Sequence, residues 1–135
     1  MTYALSAAAT MFAACLLALH EVGGWDGAIY RARWQYMLHI APRMWPQERF
    51  SPEAWGRSAP TERYRLARDL LASGVLAGRS PGEVARLLGG REAESDVIYE
   101  LRKAPEGNLW WVLHIEFSDG RVSRASTTLA WLDPA

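Results

Sequence analysis

Leu109-Trp110-Trp111-Val112-Leu113-His114-Ile115-Glu116-Phe117, running into Ser118-Asp119-Gly120-Arg121, decides the fold of this chain. Leu109, Trp111, Leu113, Ile115 and Phe117 recur with period two, so one face of a strand is apolar throughout. Trp110, Val112, His114 and Glu116 make the other face, which is mixed. The two adjacent tryptophans therefore point to opposite sides, and one of them belongs to the core. Asp119-Gly120 is a hairpin signal, because both central residues of the tight turn need positive φ. Arg121 to Leu129 reads as the returning strand. Upstream, Val97 to Arg102 alternates as well, with Val97, Tyr99 and Leu101 on one face. Ala104-Pro105-Glu106-Gly107-Asn108 is a turn-rich link. The pattern predicts a three-stranded antiparallel meander.

Such a sheet needs a cover for its apolar face, and two helices precede it. Ser58-Ala59-Pro60 predicts a helix start with Ser58 as N-cap, and Tyr64, Ala67, Leu70 and Leu71 form the apolar stripe. Gly74 suits a left-handed C-terminal cap. Ser80-Pro81-Gly82-Glu83 combines an N-cap serine, a proline at the first helical position and the glutamate of a capping box. Val84, Leu87 and Leu88 are the buried face, and Gly89-Gly90 stops the helix. Two short helices on one side of a meander give an α+β module over residues 58–135.

Residues 23–57 have another character. Gly23-Gly24 breaks any preceding helix, and four of the seven tryptophans follow: Trp25, Trp34, Trp45 and Trp55. A helical period fits Asp26 to Ala41, with Tyr30, Trp34, Met37, Leu38 and Ala41 on one side. Arg31, Gln35 and His39 form a polar row. Pro42, Pro46 and Pro52 predict an irregular connector. Aromatic rings beside arginines suit a headgroup layer, which nominates Trp25, Tyr30, Arg33 and Trp34 as membrane-interface residues. An amphipathic helix packed on the domain explains the same pattern.

The preceding stretch, Tyr3 to Leu19, holds no Asp, Glu, Lys or Arg. A helix of about 20 residues just spans a hydrocarbon core of about 30 Å. Residues 1–22 are therefore expected to form a transmembrane anchor or an uncleaved signal-like helix. The segment is rich in alanine, which inserts weakly, and its small residues would let a neighbouring helix approach closely. Two alternatives stay open. Phe12-Ala13-Ala14-Cys15 loosely resembles a lipobox, with residues 1–14 as a signal and Cys15 as the lipidated residue, although no basic residue precedes it. A buried helix of a soluble fold is the other. Arginines follow the segment and none precede it, which places the body in the cytoplasm if it spans an inner membrane. A lipoprotein signal places it outside.

Fifteen basic side chains balance fifteen acidic ones among 135 residues, so net charge gives no reason to expect a nucleic acid partner. Lys103 is the only lysine. The single Cys15 excludes an intrachain disulfide and a cysteine zinc cluster. No nucleophile elbow or phosphate-cradling lysine motif is present. Glu92, Glu94 and Asp96 read as a solvated loop. His114 and Glu116 share a strand face, read as a polar pair that would need further ligands to hold a metal. The expectation is a non-enzyme, with no catalytic, metal or cofactor site.

Leu76-Ala77-Gly78-Arg79-Ser80-Pro81-Gly82-Glu83-Val84, then Leu87-Leu88-Gly89, Tyr99 and Ile115-Glu116-Phe117-Ser118-Asp119-Gly120-Arg121-Val122 resemble the small BamE/SmpA lipoprotein family of the outer-membrane barrel assembly machinery. Residues 76–122 carry the resemblance. It implies a β-lactamase-inhibitor-like fold and a non-enzymatic binding or assembly role. The chain departs from that family by lacking a proline soon after Leu-Gly and by its long aromatic insert. The combined expectation is a membrane-tethered accessory, structural or assembly subunit that contacts membrane lipid and other subunits of a membrane complex. The alternative is a secreted or periplasmic lipoprotein or inhibitor-like module. Trp110, His114 and Arg124 on the second sheet face are the candidate partner contacts.

Overall fold

Three strands, β1 (Val97–Lys103), β2 (Leu109–Ser118) and β3 (Arg121–Trp131), pair antiparallel in the order β1-β2-β3 in the computed structural model. The structure describes residues 9–15, 17, 24–93 and 95–133. The chain divides into two compact units, Met1–Ile40 and Ala41–Ala135. The meander lies in the second. Asp119 (φ 54°) and Gly120 (φ 72°) both take positive φ, as a tight primed turn requires. Leu109, Leu113 and Ile115 are fully buried and Trp111 nearly so, while Phe117 at the hairpin end is half-buried.

β1 departs from simple alternation. Glu100 pairs with Val112 but Arg102 pairs with Trp111, so Leu101 is an extra residue, a bulge. The shift turns Arg102 onto the core side of the sheet. Its guanidinium lies over the Tyr64 ring, 4.5 Å from the centroid. Tyr64 in turn meets Trp45 edge-on at 5.4 Å, and Trp45 meets Trp111 at 5.6 Å.

The helical layer holds one element that the sequence pattern does not predict. Ser51 caps a short helix, α2 (Pro52–Arg57), by accepting a hydrogen bond from the Ala54 amide at 3.0 Å. Pro52 begins this helix instead of prolonging a connector, because the first helical position needs no N–H donor. Ser58, expected as an N-cap, is the C-cap of α2, and its hydroxyl donates to the Ala54 carbonyl at 2.7 Å. A 3-10 turn over Pro60–Glu62 leads into α3 (Tyr64–Ala72), which buries Tyr64, Leu66, Ala67 and Leu70. Gly74 follows at φ 70°.

The next helix, α4 (Pro81–Leu88), starts with the complete capping box. Ser80 Oγ accepts from the Glu83 amide, and the Ser80 amide donates to Glu83 Oε1, both at 3.3 Å. The Ser80 amide and then its hydroxyl hold the Glu83 carboxyl below the usual carboxylate range. Trp55 locks α2 to α4: its Nε1 donates to the Leu88 carbonyl at 2.9 Å.

In the first unit, residues 9–15 and 17 are helical. Gly24–Gln35 forms α1, and Tyr36–Ile40 continues as a π-helix. α1 has no buried residue, and Met37 is buried in the π segment. Among the described residues, no helix is long and apolar enough to cross a membrane. Much of the expected anchor, namely residues 1–8, 16 and 18–22, lies outside the described residues. The α+β class with a three-stranded antiparallel sheet holds; a membrane-spanning helix gains no support from the described part.

Candidate functional site

Two surfaces combine polar or aromatic groups in ways the fold itself does not need. The first is the sheet face turned away from the helices. Val112 is its fully buried floor, flanked on β2 by half-buried Trp110 and His114. Beside His114 lie Ile98 on β1 and Ser126 on β3. Glu116 sits opposite Arg124, whose Nε lies 3.7 Å from Glu116 Oε2. Asp96 approaches from the other edge, with its Oδ2 3.1 Å from His114 Nε2.

The register explains the convergence. Val97 pairs with Ile115, so Asp96, one residue earlier, falls beside Glu116 and on the opposite face from Val97. One donor atom from each of Asp96, His114 and Glu116 can be chosen so that all three lie within 4.8 Å of one another. Of the three candidate partner contacts, His114 and Arg124 meet around Glu116. Trp110 lies four residues along β2, about 13 Å away at about 3.3 Å per residue.

The second surface is in the first unit. Trp25 and Tyr30 are 68 % and 60 % exposed, and Arg33 is exposed too. Trp34 is half-buried and stacks on Tyr30 with ring centroids 6.1 Å apart. The sequence period groups Tyr30 with Met37 on a protected side, yet Tyr30 is open and Met37 is closed. A further apolar row stands exposed: Trp25, Ile29, Tyr36 and Ile40. Spacings of four, seven and four put these residues on one side of the helix. Cys15 is an exposed thiol in the helical stretch of residues 9–15.

The second unit also carries a hollow of about 490 Å³ between Pro60, Arg63, Gly89, Arg91 and Tyr99. Two of its polar groups, Tyr99 and Arg63, are already used. The Tyr99 hydroxyl donates to the Gly89 carbonyl at 2.9 Å, and burial pushes its pKa up. Arg63 donates to the Trp55 carbonyl and lies over that indole. No family model, curated protein or solved structure matches the chain.

Proposed function

We propose that this chain is a non-enzymatic accessory or assembly subunit, held at a membrane by its N-terminal unit and offering its second unit to a protein partner. The observation that carries the reading is where large apolar side chains stand in solvent. In the first unit Met11, Phe12, Leu17, Trp25, Ile29, Tyr30, Tyr36 and Ile40 are exposed, against Met44, Ile98 and Trp131 in the larger second unit. Apolar surface concentrated in this way marks a face that something covers. The uncharged stretch up to His20 leads into it, and Arg31 and Arg33 border it, as befits an element lying at headgroup level.

The sheet face of the second unit supplies the partner contacts in this reading, through His114 and Arg124 at one end and Trp110 at the other. The BamE/SmpA-like character of residues 76–122 belongs to the same proposal, and a binding role in a bacterial inner-membrane complex accords with it. In the lipoprotein variant of this reading, a lipid on Cys15, whose thiol is exposed, makes the attachment.

Removing residues 1–22 tests the attachment. The truncated chain moves to the soluble fraction of a lysate under the proposal. Unchanged membrane fractionation overturns that part of it. The intact mass of the protein purified from membranes separates the variants, since a lipid adduct on Cys15 with loss of residues 1–14 identifies the lipoprotein.

A further inference from the structure

We infer that Asp96, His114 and Glu116 form a surface site for a divalent transition-metal ion of the zinc class. Nothing in this inference depends on the membrane reading, since all three residues lie in the second unit.

The site draws on two separate pieces of chain. His114 and Glu116 project from the same face of β2, at i and i+2. Asp96 comes from the segment before β1 and reaches His114 Nε2 at 3.1 Å. Adjacent ligands around an ion with bonds of about 2.0–2.2 Å stand about 3–3.5 Å apart. The His114–Asp96 pair already has that spacing. With the three donor atoms within 4.8 Å of one another, a small rotation of the Glu116 side chain completes the triad.

Charge points the same way. Asp96 and Glu116 bring two carboxylates to one place, and a divalent cation is the charge complement of such a pair. Arg124 does not remove the need. Its Nε lies 3.7 Å from Glu116 Oε2, a long contact between side chains that are 72 % and 35 % exposed. An arginine beside a ligating carboxylate is the kind of outer partner that commonly orients a metal ligand.

The donor set selects the ion. One imidazole nitrogen with two carboxylate oxygens suits zinc, cobalt or nickel, whereas calcium and magnesium prefer all-oxygen shells. Three protein ligands leave room for water. Exposed Ile98 and buried Val112, both beside His114 on the same face, give the site an apolar border. A bound ion would tie the segment before β1 to the middle strand.

Titration of the full-length chain with cobalt(II) and zinc chloride tests this, read by cobalt d–d absorption and by calorimetry. The expected result is one saturable ion per chain with a Kd well below about 1 mM. His114→Asn, Asp96→Asn and Glu116→Gln should each weaken binding about tenfold or more. His39→Asn, in the other unit, should leave it unchanged. The NMR signals of the His114 ring should shift or broaden on cobalt addition. Binding no tighter than about 1 mM overturns the assignment. So does binding that survives His114→Asn, or that is lost in His39→Asn. Near-native circular dichroism of the three site variants ties any loss to the ligands.

Discussion

Replacing Trp55 probes the join between the short α2 helix and the rest of the core. The side chain is 1 % exposed, and its Nε1 donates to the Leu88 carbonyl at the end of α4. Its ring meets Phe50 at 6.2 Å and Tyr99 at 6.0 Å, and Arg63 lies 4.9 Å above it. Truncating a buried tryptophan to alanine costs about 3–5 kcal/mol, and this figure already contains the ring contacts. Trp55→Phe keeps an aromatic ring but leaves the Leu88 carbonyl without its donor. That loss alone is worth about 1–3 kcal/mol. Urea unfolding followed by far-UV circular dichroism separates the two variants. With a slope of about 2 kcal/mol/M, a loss of about 4 kcal/mol lowers the midpoint by about 2 M. Hydrogen exchange at α4 amides should accelerate in both variants. A loss below about 1 kcal/mol for Trp55→Ala, or unchanged exchange in α4, would refute the role given to this side chain.

Acid should weaken the start of α4. The folded Glu83 carboxyl is depressed by its hydrogen bonds to Ser80, so the stability it adds is present above its unfolded pKa and is lost as pH falls through the folded value. The pH dependence of urea midpoints should flatten below the usual carboxylate range in Glu83→Gln. A slope equal to that of the parent protein would refute the linkage. Ser80→Ala removes the cap itself and should cost about 1 kcal/mol. Gly120→Val places a β-branched residue at φ 72° and should destabilise the hairpin by more than about 1 kcal/mol. Urea midpoints check both. Arg102→Ala should cost about 0.5–1 kcal/mol through loss of its contact over Tyr64, and Arg102→Lys should recover part of it.

The features legible in the sequence are those with local causes. The alternation of β2, the Asp119-Gly120 turn and the Ser80–Glu83 capping box each depend on residues a few positions apart. What escaped reading depends on register or on a choice between equal local signals. Ser51-Pro52 carries the same start signal as Ser80-Pro81, but α2 is only six residues long, and proline also ends helices. Ser58 satisfies either helix end, and only the buried Trp55 decides which. The bulge at Leu101 leaves no mark on the alternation of Val97, Tyr99 and Leu101, yet it sets where Arg102 points.

The candidate sites follow the same rule. His114 and Glu116 are visible as neighbours on one strand face. Asp96 joins them only once Val97 is known to pair with Ile115. In the first unit, Tyr30, Trp34, Met37 and Leu38 compete with Trp25, Ile29, Tyr36 and Ile40 as two apolar rows on one helical segment. The sequence period singles out the first row and not the second, it does not say which is covered, and a π segment changes the angular step within the second half.

The central claim is that the exposed apolar side chains described in the first unit, Trp25, Ile29, Tyr36 and Ile40 among them, belong at a membrane. Flotation of the purified full-length protein with phospholipid vesicles, with no other protein present, addresses it most directly. The account predicts that the protein rises with the vesicles and that Trp25→Glu with Ile29→Glu reduces the floated fraction. A protein that stays at the bottom of the gradient with the load would contradict it.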